Sequence, residues 1–505
     1  MTKIPEKNYS VIYFTILLIV SIVSHFPFVL KGFGELDATK IAVSVIDMIN
    51  NGSNAAFANF YFTDVIPLYI LYLKSFMKLL NYNYSYLPLI MNYTNVIVGI
   101  LIIVPTYLLI NRLFNNQIIT FCSILTLLFA PSFYQATIMG FPHLISFFFL
   151  LASFLIYVSG IDHSHGKSFL LKMFLTYILL TTALLFKSDY ILASGFYIGI
   201  LFIRKIKDKT KIISPFIIIG FSGILFIIFR RLILGPTGGT TMTREALLRW
   251  YHFSLAIPRT LDGFILQVGP IAYAFGIATF FLSIISLIYL LYKKRFDILI
   301  FVLSWSALPT FFWAIMIGNN ARHNMLSVLP AIVSIVSFFY DRFKKGVVIL
   351  TIMLILANYL ILPPSPSIIR PSGNITGSVK LIKERMNRFR EDAVKIAHLD
   401  EKKIAVLGYF HNPHVIFEIL KSTPVYKAEK IGREDYRIKT DDREYVFIYF
   451  VLIKPEEELI PDTKKVIEKY FLHDYTFVSA TYDLKPLDTI GIKAVTIDVI
   501  KKSEL

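Results

Sequence analysis

The chain has 505 residues, of which 55% are hydrophobic, and its mean hydropathy is +0.63. Because that apolar content is concentrated in runs long enough to cross a bilayer, the composition excludes an ordinary soluble domain. The formal net charge of +17 would raise the question of nucleic acid in a soluble protein, but here it falls in short loops between the apolar runs.

The first apolar run, Val11–Leu30, is too long for a signal-peptide core and has no small-residue cleavage site after it. It is therefore predicted as a retained span. Runs of similar character recur and predict about eleven crossings in total. The other ten are Leu87–Ile110, Ile118–Gln135, His143–Ser159, Phe169–Phe186, Tyr190–Ile203, Ile212–Phe229, Phe264–Tyr292, Ile298–Ile317, Asn324–Tyr340 and Val347–Leu362.

The basic residues follow the positive-inside rule if the N-terminus is cytoplasmic. The five inner loops then carry Arg112, Lys167, Arg204–Lys211, Lys293–Arg295, and the group Arg342, Lys344 and Lys345. The charge is thus explained by topology in a multi-pass plasma-membrane protein, and no nucleic-acid partner is expected. The single cysteine, Cys122, lies in a predicted span and excludes an intramolecular disulfide, which suits a prokaryotic envelope.

The first outer segment contains an amphipathic helix. Apolar residues recur at helical spacing at Ala38, Ile41, Ala42, Val45, Ile46 and Ile49. This stripe is too short to span, so the helix should lie in the interface plane. Asp37 stands at its N-cap position and Asn50–Asn51–Gly52 should end it. A second interfacial or re-entrant helix is predicted at Pro67–Leu80.

Two further outer segments follow. Arg230–Gly263 is basic for an outer loop and includes Arg259, which favours an anionic ligand. After the PPSP turn at Pro363–Pro366, short alternating runs predict a small extracytoplasmic α/β domain. The predicted strands are Ile404–Leu407, Tyr445–Leu452, Thr476–Tyr482 and Ala494–Ile500, and the predicted helices are Val379–Ala397, Pro413–Lys421 and Asp462–Phe471. The expected architecture is an all-α polytopic membrane domain over residues 1–362 and this domain over residues 363–505.

Two carboxylates in the predicted outer segments are candidate functional groups, although each also has an ordinary structural interpretation. Asp37 could simply cap its helix. Asp64, in the stretch FTDVIPLY at Phe62–Tyr69, could be a loop aspartate before a turn. This segment resembles the first outer loop of GT-C glycosyltransferases. The resemblance is carried by the order Asp37, striped helix, Asn51–Gly52, Asp64 and Pro67–Leu68–Tyr69. The similarity is to the branch containing protein O-mannosyltransferases and lipid A aminoarabinose transferase.

Three later stretches resemble the same family in the same order, so that the likeness covers about residues 10–340. They are Ala130–Phe133 followed by Phe141–Phe149, the stretch LLFKSDYILA at Leu184–Ala193, and NARHNMLSVLPAIVSI at Asn320–Ile335. The resemblance implies a GT-C fold with interfacial helices in the first outer loop. It also implies transfer of a hexose or pentose from a dolichyl- or undecaprenyl-phosphate donor. The acceptor hydroxyl would belong to a protein, lipid or glycan at the outer face.

The chemistry of an inverting transfer indicates the roles of individual residues. The acceptor hydroxyl needs a general base, for which Asp37 is the candidate, with Asp64 as the second catalytic carboxylate. The leaving lipid phosphate needs a fixed cation. Arg322, Lys187 and Arg259 are the candidates, in that order, although Arg322 could be a juxtamembrane anchor and Lys187 could snorkel from a span end.

The sequence departs from the family pattern at several of these positions. Ala38 replaces the second acid of the family's Asp-Glu pair, which Glu35 could supply from the other side. His143 stands where relatives often carry aspartate and His323 where tyrosine is usual, so both are candidate substrate or metal contacts. A divalent ion between Asp64 and either histidine is conceivable, but no ligand spacing requires one. These departures bear on the identity of the donor sugar more than on the type of reaction.

Two other function classes stay open on the sequence alone. A carrier or flippase for a lipid-linked anion would also need basic outer residues, but it should show ionisable residues near mid-span. A membrane-anchored receptor or assembly factor would use the outer α/β domain to bind a partner. The histidine-containing stretches Asp162–Gly166 and His411–His414 are interpreted as solvated loops.

Overall fold

The computed structural model describes residues 6–33, 36–52, 66–138, 140–163, 166–234, 269, 271–315, 321–360, 404–408, 412–423, 425–430, 436–440, 444–448, 475–483 and 494–501. The chain forms two compact units. The first comprises Met1–Lys31, Asp64–Tyr72 and Leu89–Lys380, and the second Gly32–Thr63, Leu73–Pro88 and Leu381–Leu505. Helices make up the described secondary structure of the first unit, and the strands belong to the second.

The helices follow the predicted apolar runs along the chain. They are α1 (Glu6–His25), α2 (Leu36–Asn51), α3 (Pro67–Leu79), α4 (Leu87–Leu101), α5 (Ile103–Phe114), α6 (Gln117–Leu128), α7 (Pro131–Ile138), α8 (His143–His163), α9 (Gly166–Phe186), α10 (Gly195–Ile203), α11 (Lys209–Leu234), α12 (Ile277–Tyr292), α13 (Phe296–Ile315), α14 (Met325–Phe343), α15 (Val347–Leu360) and α16 (Asn412–Ser422). Two 3₁₀-helices matter for the site: Ser188–Ser194 lies between α9 and α10, and Ala321–Asn324 precedes α14.

Seven helical segments among the described residues are long and apolar enough to cross a membrane, judged by length and composition. This is expected of a multi-pass membrane protein. An eighth would be α6 with α7, which are bent by 60° where Pro131 starts α7. Three further apolar helices are shorter: Ser188–Ile203, Ile277–Tyr292 and Val347–Asn358. Each predicted span thus overlaps an apolar helix, although most of residues 264–270 in the predicted span Phe264–Tyr292 lie outside the described residues. The count of eleven crossings is not confirmed.

Aromatic side chains fill the core where α8, α10 and α13 meet. Trp305 of α13 is fully buried, and its ring centroid lies 5.0 Å from that of Phe154 in an edge-on arrangement. Phe154 in turn stacks on Phe196 of α10 at 4.0 Å. Such aromatic contacts add to the stabilisation that comes from area burial. They fix α10, and with it the preceding 3₁₀-helix, against the bundle.

The second unit contains the striped helix α2. It begins at Leu36, so Asp37 lies in its first turn rather than at the N-cap, and it ends at Asn51 before Gly52, whose φ is +56°. The predicted end is therefore confirmed. The predicted stripe is buried from Ala38 to Ile46 and only partly buried at Ile49, and Thr39, Ser44 and Asp47 are also fully buried. The helix is covered on more than one face, in part by α16.

A buried carboxylate organises the contact between α2 and the segment after α16. Asp47 is fully buried and accepts hydrogen bonds from Asn51 Nδ2 at 2.6 Å and from the Tyr426 hydroxyl at 3.2 Å. The Tyr84 hydroxyl donates to Asn50 Oδ1 of the same helix at 2.8 Å. A buried charge needs such partners. The polar side of α2 is therefore an internal contact of the second unit.

The strands form one six-stranded mixed sheet in the order β2-β3-β4-β1-β6-β5. Among the described strand pairs, β1 with β4 is the only parallel one. The strands are β1 (Ile404–Gly408), β2 (Lys427–Lys430), β3 (Tyr436–Lys439), β4 (Glu444–Ile448), β5 (Tyr475–Asp483) and β6 (Ala494–Lys501). The predicted strands at Ile404–Leu407, Thr476–Tyr482 and Ala494–Ile500 and the helix at Pro413–Lys421 are confirmed. The predicted strand Tyr445–Leu452 is confirmed as far as Ile448, and its remaining residues lie outside the described ones. The charged strands β2 and β3 give no apolar pattern and were not predicted.

The helices predicted at Val379–Ala397 and Asp462–Phe471 lie outside the described residues. The division of the chain at residue 363 and the outer placement of this sheet stay predictions.

Candidate functional site

Two histidines from distant parts of the first unit come together at the start of α8. His143 is the first residue of α8 and is 1% exposed. Its ring centroid lies 5.7 Å from that of His323, which belongs to the 3₁₀-helix Ala321–Asn324. The His323 ring stacks on the Trp313 indole at 4.0 Å, near the end of α13. The helix ends of α8, α13 and α14 therefore meet around two imidazoles.

Lys187 and Asp189 complete the group from the junction of α9 and α10. Lys187 has extended backbone and caps the 3₁₀-helix Ser188–Ser194. Its Nζ lies 3.3 Å from Asp189 Oδ1, with the two side chains 8% and 14% exposed. The other Asp189 oxygen is 4.0 Å from His323 Nδ1. We call Lys187, Asp189, His143 and His323 the Lys187 cluster.

Close helix packing positions the segment that carries Lys187 and Asp189. A Cβ at Gly195 would lie 2.3 Å from the Ser304 carbonyl oxygen, and a Cβ at Gly199 would lie 2.1 Å from Ser304 Oγ. Only glycine at these positions lets α10 approach α13 so closely. The buried Tyr190 then donates from its hydroxyl to the His143 carbonyl at 2.8 Å. The 3₁₀-helix is thus tied to both α13 and the start of α8.

An asparagine of α4 fixes the turn that leads into α8. Asn95 is fully buried, and its Nδ2 donates to the carbonyls of Ala136 at 3.1 Å and Phe141 at 2.6 Å. In the same turn, a Cβ at Gly140 would lie 2.5 Å from Met91 Cβ. Backbone carbonyls in an apolar bundle must be satisfied from within the protein. Asn95 supplies the donors and so sets where His143 emerges.

The Lys187 cluster places one ammonium, one carboxylate and two imidazoles where little water reaches. Burial strengthens each electrostatic contact because the local dielectric is low. Lys187 can present a compact positive charge with three donors, and imidazoles can donate to an anionic oxygen. Arg322 precedes His323 in the same 3₁₀-helix, so a second basic residue is next to the cluster in sequence. The arrangement can hold an anionic group such as a phosphate.

The cluster is not by itself a metal centre. Within the described part of the chain, no three or more histidine, cysteine, aspartate or glutamate side chains are grouped so that they could hold a metal ion. The predicted ion between Asp64 and a histidine stays a prediction, because Asp64 lies outside the described residues.

The predicted site residues divide into three groups. The structure brings Lys187, His143 and His323 together. For Asp37 and Arg322 it describes the backbone alone, in the first turn of α2 and in the Ala321–Asn324 helix. The remaining candidates, Glu35, Asp64 and Arg259, lie outside the described residues.

Sequence reasoning missed two residues of the site. Asp189 follows Lys187 by two positions, and this acid beside a candidate phosphate-binding lysine was the signal that could have found it. Trp313 gave no such signal. Its contact with His323 depends on how α13 and the segment before α14 pack. The indole Nε1 of Trp313 is buried and has no hydrogen-bond partner among the described residues.

No protein-family model and no curated protein matches the chain. Solved structures of an archaeal oligosaccharyltransferase from Archaeoglobus fulgidus are similar to it. Its apo form is 12% identical with a TM-score of 0.49, covering 82% of this chain and 64% of that chain. Its complex with an inhibitory peptide and a dolichol-phosphate is 12% identical with a TM-score of 0.48, with the same coverage.

A third structure of the same enzyme, in complex with zinc and sulfate, is 13% identical with a TM-score of 0.46 and covers 81% of this chain and 61% of that chain. This chain therefore spans somewhat less than two thirds of the oligosaccharyltransferase's length.

Proposed function

We propose that the protein is an integral-membrane glycosyltransferase that transfers a sugar from a polyprenyl-phosphate donor to an acceptor hydroxyl. The observation that carries this proposal is the Lys187 cluster. Its side chains come from three distant segments and meet, largely buried, at the ends of apolar helices. A lipid-linked phosphate needs apolar surface for its chain and a fixed cation for its head. The cluster supplies the cation in that setting.

The proposed reaction is a single displacement. The acceptor oxygen forms a bond to the anomeric carbon while the bond from that carbon to the phosphate oxygen breaks. The electron pair stays on the phosphate, and the acceptor proton passes to the Asp37 carboxylate. Attack from the face opposite the phosphate inverts the anomeric configuration.

In this scheme Lys187 stabilises the charge that grows on the leaving phosphate. Asp189 positions the Lys187 ammonium and, through its second oxygen, faces His323. The two histidines are proposed to contact the phosphate or the sugar. Arg322 is proposed as a second phosphate ligand because it shares a short helix with His323. The roles of Asp37, Asp64, Glu35 and Arg259 rest on the sequence.

The charge pattern supports a location for the reaction. We place it at the outer face of a prokaryotic plasma membrane, since the basic loops fall on the other side under the positive-inside rule. The donor would be a dolichyl- or undecaprenyl-phosphate hexose or pentose. The acceptor would be a protein, a lipid or a glycan. The sheet-containing second unit would then lie outside the cell.

The proposal can be tested with purified protein in nanodiscs supplied with a panel of synthetic polyprenyl-phosphate sugars and a membrane extract as acceptor. Release of polyprenyl phosphate and labelling of the acceptor are measured together. Asp37→Asn should lower the rate by about 10²–10⁴-fold, the usual contribution of a general base. The exposed Asp297→Asn should leave the rate unchanged and serves as the matched control.

Two results would overturn the proposal. One is full transfer activity in a folded Asp37→Asn variant, which would show that Asp37 is not the general base. The other is movement of labelled donor across vesicles without product formation, which would identify a carrier instead.

A further inference from the structure

A second charged group lies at the opposite end of α8 from the Lys187 cluster. Asp162, one residue before the end of α8, pairs with two arginines. Its Oδ2 accepts from Arg112 Nε at 3.1 Å, and its Oδ1 lies 3.0 Å from Arg204 Nε. An α-helix of this length separates its two ends by about 30 Å. The site is therefore distinct from the Lys187 cluster.

The three residues come from three loops that are all predicted to be cytoplasmic. Arg112 lies in the last turn of α5, whose C-cap residue, Asn115, has left-handed backbone conformation. Arg204 follows α10 directly and also donates from Nη2 to the Arg112 carbonyl at 3.1 Å. Asp162 belongs to the histidine-containing stretch that the sequence indicated as a solvated loop. It is only 13% exposed, so that interpretation is wrong for this residue.

An open cavity of about 840 Å³ surrounds this charged group. One part of its wall is apolar, formed by Leu108, Leu155 and Ile156, and another part is formed by the charged residues. From Leu108, which is 50% exposed, an exposed apolar stripe continues through Val104 of α5 to Leu101 at the end of α4, within one candidate span. These positions share one face because they recur at helical spacing. The cavity thus opens onto a surface suited to a hydrocarbon chain.

Positive charge exceeds negative charge around the cavity. Besides Arg112 and Arg204, Lys172 Nζ lies 3.0 Å from Ser159 Oγ on the cavity wall, and Lys211 Nζ donates to the Ile161 carbonyl at 2.8 Å. Asp162 supplies one formal negative charge. The helix dipoles at the C-terminal ends of α5, α8 and α10 together add about one and a half negative charges. Four cations still leave a net positive site.

Part of this cationic capacity is unused within the described structure. The Nη2 atom of Arg112 is buried and has no hydrogen-bond partner among the described residues. A guanidinium can grip a phosphate with two parallel hydrogen bonds. Basic residues at the cytoplasmic surface are attracted to the anionic lipids of that leaflet.

We propose that this cavity binds the phosphate headgroup of an anionic phospholipid, with an acyl chain along the Leu101–Val104–Leu108 stripe. The guanidinium groups of Arg112 and Arg204 hold the phosphate, in competition with the Asp162 carboxylate that pairs with both of them. The apolar stripe favours a lipid over a free phosphate ester, because only the lipid covers that surface. This binding site is separate from the proposed transfer reaction.

The test is native mass spectrometry of the full chain released from micelles that contain phosphatidylglycerol or phosphatidylcholine. Retained phosphatidylglycerol should exceed phosphatidylcholine. Arg112→Gln should reduce its apparent affinity by about tenfold, the value of one charge-assisted contact. The exposed Lys207→Gln, which removes the same charge from the neighbouring loop, should leave it unchanged.

If Arg112→Gln fails to fold, Asp162→Asn provides a second test. Loss of the competing carboxylate should raise phosphatidylglycerol affinity, whereas a merely structural ion pair would give no gain. Soluble glycerol phosphate should not displace the lipid; its displacement at equal concentration would point to a phosphate-ester site instead. Equal binding of both lipids, or equal losses in Arg112→Gln and Lys207→Gln, would overturn the proposal.

Discussion

The packing of α10 against α13 gives the sharpest prediction about how the site is held. In Gly195→Ala, the new methyl group would lie 2.3 Å from the Ser304 carbonyl oxygen, whereas ordinary contacts begin at 3.4 Å. The two helices must therefore separate by about 1 Å. Overpacking of this kind costs about 1–3 kcal/mol. A displacement of about 1 Å near reacting groups can also lower a rate by about 10²-fold.

Two comparisons separate this effect from a general effect of alanine. Gly220→Ala and Gly223→Ala in α11 meet nothing within 4 Å, so they should be neutral or stabilise by up to about 1 kcal/mol through helix propensity. Gly199→Ala collides with the Ser304 side chain, so Ser304→Gly should rescue it. The same substitution should not rescue Gly195→Ala, which collides with backbone.

The assay is unfolding of the detergent-solubilised protein followed by tryptophan fluorescence, together with the release of polyprenyl phosphate. Gly195→Ala should lower both the unfolding midpoint and the rate, because α10 follows directly on the segment that carries Lys187. If Gly195→Ala unfolds at the same midpoint as Gly220→Ala, the close approach of α10 to α13 is wrong.

Three further predictions concern buried polar contacts. Lys187→Met should lower the rate of polyprenyl-phosphate release by about 10²-fold. Adding Asp189→Asn to this variant should restore the yield of folded protein without restoring the rate. Recovery of the rate in the double variant would show that Lys187 acts only as a structural partner of Asp189. Asn95→Leu leaves two buried carbonyls without donors and should cost about 1–3 kcal/mol in chemical unfolding, whereas an unchanged midpoint would contradict its role in the turn before α8. Burial, and then the charge of Asp47, raises the pKa of Tyr426 well above its usual 10. The hydrogen bond from Tyr426 should therefore stabilise the fold fully below pH 10, and this stabilisation should be lost as the pH rises further. Tyr426→Phe should lower the free energy of unfolding by about 1.5–3 kcal/mol at neutral pH and reduce the loss of stability at alkaline pH. Parallel stability-against-pH profiles for the two proteins would contradict the contact.

The sequence alone determined where the helices lie. Each apolar run became a helix because a backbone in an apolar environment must satisfy its own hydrogen bonds. Helical spacing likewise located α2 and its end at Asn51, and alternating apolar residues located β1, β4, β5 and β6. Patterns of this kind are local, so they survive without knowledge of the packing. The charged strand β2, at one edge of the sheet, and its neighbour β3 lack such a pattern and were missed.

Only the tertiary structure decided which polar residues meet. Lys187 and His323 are far apart in sequence, and both face Asp189 because the end of α9, the 3₁₀-helix that follows it and the 3₁₀-helix before α14 come together. Asp162 looked like a loop residue, but the packing of α5, α8 and α10 encloses it between Arg112 and Arg204. Asp47 lies beside the apolar stripe of α2, and only the contact with Tyr426 makes it internal. These contacts depend on helix packing over long sequence separations, which no local pattern specifies.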